Sequence, residues 1–338
     1  MVVIITLDYE LFLNDKTGSV RNCLEKPIAE IQKICDKFDV HYTVFVDAAY
    51  LYMLNKLKET DSNLIDDFNT VCAHLRWIQS KGHDIELHLH PQWYYSEYKN
   101  GEWVLDWEHY RMGDLDEECA LRLFNESKCL LDGIIGKETT IFRAGGYSLP
   151  GFDYNTAFEK NGMIADSSVL PGIREITSTH VFDYRKLPEI PYRFSDDVLQ
   201  PKDNGSFIEL PISLSKKYFI TKYLSIKKKN ISNVDNINWG DGGDLPQSNY
   251  FKRIRRIMSS FSLYKRPKAS IDYQSFFFLR DAYDAAKDND YLIIIGHPKN
   301  FSPSSLKYLD GFIEDCLANK DSFMTAEEYC WQVIRNLI

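Results

Sequence analysis

Short apolar runs alternate along the chain with longer amphipathic stretches. The apolar runs, rich in β-branched and aromatic residues, fall at 2–7, 42–46, 84–90, 140–143, 163–167, 207–211 and 291–296. Apolar residues recur at helical spacing at 25–38, 63–81, 116–135, 155–161, 273–287 and 326–337. Strands that are apolar along most of their length and separated by helices predict a parallel sheet covered on both faces. The pattern therefore predicts an α/β fold, most simply a closed or nearly closed barrel.

The stretch from about 216 to 272 interrupts this alternation, and we interpret it as an insertion into a single domain spanning 1–338. It also concentrates positive charge: residues 216–268 contain 13 Lys/Arg and 3 Asp/Glu, although the whole chain has a net charge of −9. Within it, Phe251, Ile254, Met258 and Phe261 recur at helical spacing among basic residues, which predicts a basic amphipathic helix. That helix either packs on the barrel or contacts phosphate on a ligand or an anionic membrane surface.

The composition is that of a globular protein, because 338 residues with 44% hydrophobic content can bury a large core. No apolar run reaches the roughly 18 to 20 residues of a membrane span, and the first residues show no signal-peptide pattern. Seven cysteines without a CxxC pair predict free, mostly buried thiols. We expect a cytoplasmic location.

Candidate chemistry lies at the ends of the predicted strands, where parallel α/β folds place their functional residues. The first run ends in TLDYE at 6–10, so Asp8 and Glu10 can share one face of a strand. One carboxylate can bind a divalent cation while the other removes a proton from water. Alternatively, one caps the following turn and the other is solvated.

The third run ends in HLHPQ at 88–92. His88 and His90 occupy alternate strand positions, and two imidazoles with a carboxylate favour a zinc-like ion. A lone histidine on an apolar strand is more often a buried structural residue, but the pair followed by Pro91 favours metal ligation. We interpret His83, beside Gly82 in a turn, as a surface residue.

Two further strand ends carry cations. Arg143 precedes the flexible turn GGY at 145–147, whose backbone N–H groups can approach a ligand closely. It can pair with Asp8, either to orient a base or as a structural ion pair. His297 follows the last run, where it is suited to protonate a leaving group or simply caps the strand.

Taken in order, these segments resemble the polysaccharide deacetylase superfamily with NodB homology, over nearly the whole chain. The second motif of that family is usually HxxxH, and here Gln92 stands four residues after His88. Either His90 or Gln92 must then complete the metal site, and we favour His90. Tyr9 also stands where the family usually has a second aspartate.

The resemblance implies a distorted (β/α) barrel and a metal-dependent deacetylase with an expected Zn²⁺ ion. The metal and a backbone N–H near Tyr147 would hold the oxyanion, with Asp8 as base and His297 as acid. The segments at Asp166 and Glu209 resemble further strand ends of the family. The implied metal ligands are Glu10, His88 and His90, and the implied catalytic residues are Asp8, Arg143, Tyr147 and His297.

The expected substrate is an N-acetylated sugar linked to a nucleotide, a lipid or an oligosaccharide in surface glycan assembly. Nucleic acid is not expected, because the chain outside the insertion is acidic. Two alternatives remain: hydrolysis of another C–N bond or sugar substituent, or glycan binding without catalysis. Aromatic residues after the histidine strand either stack on sugar rings or form a small core of their own. They are Tyr94, Tyr95, Trp103 and Trp107.

Overall fold

A computed structural model describes residues 1–217, 235, 237–243, 266–272 and 275–335. The strands within these ranges are β1 (Val2–Tyr9), β2 (Thr43–Asp47), β3 (Asp84–Leu89), β4 (Glu97–Lys99), β5 (Glu102–Val104), β6 (Ile141–Ala144), β7 (Ala165–Asp166), β8 (Arg174–Ile176), β9 (Val181–Asp183), β10 (Tyr192–Phe194), β11 (Phe207–Glu209), β12 (Tyr291–Gly296) and β13 (Ser322–Phe323). The α-helices are α1 (Lys26–Phe38), α2 (Ala48–Leu57), α3 (Ser62–Ser80), α4 (Glu117–Ile135), α5 (Tyr154–Asn161), α6 (Leu279–Ala286), α7 (Pro303–Ala318) and α8 (Ala326–Arg335).

One sheet organises this part of the chain. Its strands follow the order β10-β11-β7-β6-β3-β2-β1-β12, with β13 also beside β1, and all neighbours are parallel except β10 and β11. β4–β5 and β8–β9 form separate antiparallel hairpins. Isolated bridges pair Leu214 with Lys268 and Ser270 with Ile295, and so link the chain beyond β11 to β12. The sheet therefore curls into the distorted (β/α) barrel that the sequence predicted.

The central strands are buried on both faces, as expected where helices cover a parallel sheet. All residues of β2, β3 and β12 are buried, and so are those of β1 after Val2. Local signals set the helix ends: the Asp116 side chain accepts the Cys119 N–H at the start of α4, and Gly136 ends that helix in the left-handed conformation at φ 69°. The hydrophobic pattern of the sequence and the capping residues therefore indicate nearly the same start and end for α4.

Most predicted elements are present, with ends shifted by a few residues. The predicted helix at 273–287 is a 3₁₀ turn at Ser275–Phe278 followed by α6. The hydrophobic pattern did not predict α2, α7 or the short hairpin strands. The predicted basic helix at 251–261 lies outside the described residues. Residues 268–271, at the end of the predicted insertion, contribute to the barrel wall.

All seven cysteines are free and six are buried, as expected, while Cys129 is exposed. Across the described ranges, every helix is too short or too polar to cross a bilayer.

Candidate active site

The carboxyl ends of β1, β3, β6 and β12 surround one cavity of about 350 Å³. Strand pairing explains the convergence, because His88 on β3 stands beside Arg143 on β6, and Leu7 stands beside Gly296. The cavity wall includes Asp8, Glu10, His88, His90, Tyr147 and His297. Arg143, the seventh predicted site residue, is fully buried against Asp8. The fold thus brings all seven together from four strand ends.

Three of these side chains form a compact group of potential metal ligands. Glu10 Oε2 lies 2.7 Å from His90 Nε2 and 3.4 Å from His88 Nε2. The ligand atoms of the three residues all lie within 4.8 Å of one another. His88 Nδ1–H donates to the Arg143 carbonyl at 2.7 Å, which directs the other ring nitrogen toward Glu10. Two imidazoles and one carboxylate form the donor set of a catalytic zinc-type site.

The unsatisfied atoms of this group fit a cation. Glu10 Oε2 and His88 Nε2 are buried, and among the described residues neither makes a well-aligned hydrogen bond, although Glu10 Oε2 lies close to both imidazoles. Burial alone would raise the Glu10 pKa, but Lys299 and His90 hold it well below its usual range. Burial lowers the His88 pKa, yet the Glu10 carboxylate and neighbouring acids raise it to about 9. The cluster therefore requires positive charge, which a bound divalent metal or protons on the imidazoles can supply.

The geometry favours His90 over Gln92 beside Glu10. A residue larger than glycine at 145 would place its Cβ 2.6 Å from His90 Nδ1, so Gly145 lets the imidazole pack against the turn. Gln92 lies fully buried in the 3₁₀ turn Pro91–Tyr95, and it is not among the described residues that line the cavity. Alternation along the strand thus places His90, rather than the HxxxH position, with His88.

Asp8 is poised as a base. Arg143 Nη1 donates to Asp8 Oδ1 at 2.6 Å, and both side chains are buried. Burial would raise the Asp8 pKa, but the charges of Arg143, His88 and His297 outweigh it and lower the pKa. Asp8 is therefore ionised at neutral pH. Tyr9 points elsewhere, with its hydroxyl 2.9 Å from His74 Nδ1.

Two hydrogen bonds to Ser167 hold the Arg143 guanidinium in place. Arg143 Nε donates to the Ser167 carbonyl at 2.8 Å, and Nη2 donates to the Ser167 hydroxyl at 2.9 Å.

Two buried carboxyl groups lie at neighbouring strand ends. Burial raises the pKa of Asp166 to about 6 and that of Glu209 well above its usual range. Asp166 accepts from the Ser168 N–H and Glu209 from the Val169 N–H, so both carboxyls shape the strand ends behind the guanidinium.

His297 is poised as an acid. Its Nδ1–H donates to Asp272 Oδ2 at 2.6 Å, and its backbone N–H donates to the other Asp272 oxygen at 2.7 Å. His297 Nε2 lies 3.5 Å from Asp8 Oδ2. Burial lowers the His297 pKa, but Asp272 and the other acids raise it further, so the net shift is upward. Asp8 and His297 thus have pKa values moved apart, as an acid and base pair requires.

Tyr147 sits in a strained turn at the cavity wall. Its φ is 60° and that of Gly146 is 61°, and a non-glycine residue rarely adopts this conformation. The Tyr184 hydroxyl donates to the Tyr147 carbonyl at 2.6 Å and helps to hold the turn. Such strain persists where surrounding contacts enforce it, often at functional sites.

Among the described residues, three charged side chains of the site were not predicted from the sequence. Lys299 Nζ lies 2.9 Å from Glu10 Oε1, Asp272 binds His297, and Lys268 Nζ donates to the Tyr147 hydroxyl at 2.6 Å. Lys299 follows His297 by two residues, and that spacing was an available signal. Asp272 and Lys268 carried no local signal, because the barrel closure brings them in.

Two interpretations of individual residues need correction or limitation. His83 is buried rather than at the surface: its ring stacks on Tyr42 at 3.6 Å between centroids, and Nε2–H donates to Gln32 at 2.7 Å. The four loop aromatics are absent from the described lining of the cavity. Trp103 packs against Trp93 at 5.1 Å between ring centroids, which favours a local core for this side chain.

Comparison with known proteins supports the fold. No family model and no curated protein matches the sequence. A protein of Mycobacterium smegmatis assigned as a polysaccharide deacetylase matches 99% of this chain and 90% of its own, with 14% identity and a TM-score of 0.52. A Pseudomonas aeruginosa PAO1 protein with a similar assignment matches 99% and 91%, with 13% identity and a TM-score of 0.50.

A third solved structure, the Puue allantoinase, matches 97% of this chain and 88% of its own, with 14% identity and a TM-score of 0.51. At these identities the likeness establishes the fold. The chain has the fold of the polysaccharide deacetylases, as its motifs predicted.

Proposed function

We propose that this protein is a metal-dependent hydrolase that removes the acetyl group from an N-acetylated sugar. One observation supports the proposal most strongly. The metal-ligand cluster of Glu10, His88 and His90 shares a single cavity with Asp8 and His297. The pKa of Asp8 is lowered and that of His297 is raised. Hydrolysis of an amide needs an electrophile, a base and an acid around one carbonyl, and these residues provide that combination.

Asp8 and His297 would each carry out one of the two proton transfers. A divalent metal held by Glu10, His88 and His90 would supply a Lewis acid that polarises a carbonyl and acidifies water. Arg143 occupies Asp8 Oδ1, which leaves Oδ2 to take the proton of the attacking water. Asp272 holds His297 Nδ1, which leaves Nε2 to protonate the departing amine.

The strained turn supplies the remaining electrostatic contribution. Gly146 and Tyr147 line the cavity beside the ligand cluster. Backbone N–H groups at such a position stabilise the negative charge that develops on a carbonyl oxygen during attack. The rigidity of the turn, which Tyr184 supports, means that these donors need no reorganisation during the reaction.

A second hydrolytic function shares the same geometry. The allantoinase of similar fold favours hydrolysis of a different C–N bond as the alternative. Both reactions would take place in this same cavity, so the identity of the product separates them. We also propose a cytoplasmic setting and an activated sugar intermediate in glycan assembly as substrate. The seven free cysteines support the compartment, because reducing compartments preserve thiols.

The direct test measures acetate release from N-acetylglucosamine, its oligomers and its nucleotide conjugate. We expect turnover by the metal-loaded protein to fall about 10²- to 10⁴-fold in Asp8→Asn, with metal content unchanged. Asp310→Asn on α7, a partly exposed residue paired with Lys37, is the matched control and should retain full turnover. Unchanged turnover in Asp8→Asn would exclude Asp8 as the base.

The panel also separates the alternatives. Ring opening of a cyclic ureide to its linear ureido acid, or ammonia release from a linear amide or ureide, without acetate from any sugar, would favour the other C–N hydrolase. Sugar binding that needs neither metal nor Asp8, with no product, would favour a glycan-binding protein on this fold.

A further inference from the structure

Lys268 places an ammonium group at the wall of the candidate active site. Its backbone forms a bridge with Leu214, and the next residue, Ala269, donates to the Ser213 carbonyl and accepts from the Ile295 N–H. The barrel closure therefore fixes the start of the lysine side chain. The side chain lines the same cavity as Asp8.

The charge pairing of Lys268 differs from that of the other cations around this cavity. Arg143 pairs with Asp8 and Lys299 pairs with Glu10. Among the described residues, Lys268 forms no ion pair, and its one hydrogen bond goes to the Tyr147 hydroxyl. Lys268 is only partly exposed, and a cation with little access to water and no anionic partner is costly, so a site of this kind favours an anion that arrives with a ligand.

The surroundings of the ammonium agree with this interpretation. Burial lowers the pKa of Lys268, and the more distant charges of Asp272 and Asp8 act in the opposite direction. Lys268 Nζ also lies 4.4 Å from the centroid of the Tyr147 ring. The ring holds the ammonium in place but does not neutralise it.

Tyr147 adds a second donor. Its hydroxyl accepts a hydrogen bond from Lys268 at 2.6 Å, so its own proton is available to a ligand oxygen. Lys268 retains two further protons. An ammonium and a polarised phenol side by side form a donor pair for an oxygen-rich anion.

We infer that Lys268 and Tyr147 form a subsite for an anionic substituent of the substrate, either a phosphate or a carboxylate carried by the sugar. The choice of a sugar as the carrier rests on the proposed function. The subsite itself rests on the pairing of the charges and can be tested by binding alone.

The test compares matched ligands by isothermal titration calorimetry on the full chain after chelation of metal. N-acetylglucosamine 1-phosphate is compared with N-acetylglucosamine for the phosphate arm, and glucuronate with glucose for the carboxylate arm. We expect at least one anionic ligand to bind about tenfold to a hundredfold more tightly than its neutral partner. The arm that shows the preference identifies the anion.

Variants assign the preference to Lys268. Lys268→Met should bring the ratio of the two affinities close to one, whereas Lys268→Arg should retain most of it. Lys287→Met removes an exposed lysine paired with Asp284 and should leave the ratio unchanged. If Lys268→Met does not fold by circular dichroism, Lys268→Gln takes its place. Equal affinities in the unmodified protein, or a preference that survives loss of the ammonium, would overturn the inference.

Acetate release, measured in parallel on the metal-loaded protein, keeps the two proposals separate. A Lys268-dependent anion preference without acetate release from any sugar would refute the deacetylase and leave the subsite standing. Acetate release without an anion preference would refute the subsite alone.

Discussion

Lys299 Nζ lies 2.9 Å from Glu10 Oε1 and 2.6 Å from the Leu11 carbonyl, although Lys299 and Glu10 are 289 residues apart in sequence. Both side chains are more than nine-tenths buried. Glu10 thus offers one oxygen to a lysine and the other to two imidazoles. The candidate metal carboxylate is therefore oriented by a cation from the opposite end of the chain.

Replacing Lys299 should destabilise the protein, because it leaves the buried Glu10 carboxylate without its ion-pair partner. We expect Lys299→Met to lower the free energy of unfolding of the metal-free protein by about 3–5 kcal/mol, because a buried ion pair loses one partner. Added zinc should stabilise this variant more than the unmodified protein, since the metal then becomes the main counter-charge of Glu10. Urea unfolding with and without zinc measures both effects.

The matched control is Lys37→Met, which breaks an exposed ion pair with Asp310. Its effect should stay within about 1 kcal/mol. A zinc response in Lys299→Met no larger than in the unmodified protein would mean that zinc binds elsewhere.

The metal cluster predicts a specific pattern of ligand loss. Elemental analysis of the unmodified protein, reconstituted with zinc and then desalted, should give close to one ion per chain. His88→Ala and His90→Ala should each lose it, because each removes one of three ligands, whereas Gln92→Ala should retain it. Loss of metal in Gln92→Ala with retention in His90→Ala would assign the third ligand to Gln92 instead.

Asp272 is expected to act as a positioning residue. Asp272→Asn removes the charge that holds His297 Nδ1–H, so kcat should fall about 10²-fold or more while KM changes little. Asp272→Glu should recover part of the loss, because it restores a carboxylate. A change confined to KM would place Asp272 in substrate binding.

His83 should make the fold sensitive to acid. Its Nε2–H donates to Gln32 and its Nδ1 accepts the Tyr42 N–H, so the neutral ring satisfies both contacts. Burial lowers its pKa to about 3, whereas the unfolded chain has the ordinary histidine pKa of about 6.5. The unfolded state therefore binds more protons below pH 6.5, and stability falls as the pH drops through this window.

From this residue we expect a loss of about 2–3 kcal/mol between pH 7 and pH 4.5. Urea unfolding at the two pH values measures it, and His83→Gln should reduce the loss. His74, whose pKa burial lowers to about 4, should supply a part that persists in this variant. His109→Asn on the partly exposed loop is the comparison, and an equal reduction there would contradict the assignment to His83.

Local rules were sufficient for much of the candidate site. Asp8 and Glu10, and likewise His88 and His90, are two residues apart on or just after a strand, so alternation alone puts each pair on one face. Parallel strands end at the same edge, which is why these pairs meet. The same alternation placed His90 with His88, and Gln92 fell in the following turn.

Local rules failed where a partner is distant in sequence. His83 follows a glycine turn and has the local features of a surface residue, but Tyr42 and helix α1 cover it. Helix α2 was not identified, because its mostly apolar sequence from Ala48 to Leu57 shows little amphipathic contrast.

The sequence by itself determined the alternation of strands and helices, the strand ends that carry carboxylates and imidazoles, and the resemblance that predicted the barrel. Only the tertiary structure decided which charges meet: Lys299 with Glu10, Asp272 with His297, and Lys268 with Tyr147. The reason is physical. Spacing along one strand is set by backbone geometry, whereas contacts across a curled sheet depend on register and closure, which arise from the packing of the whole core.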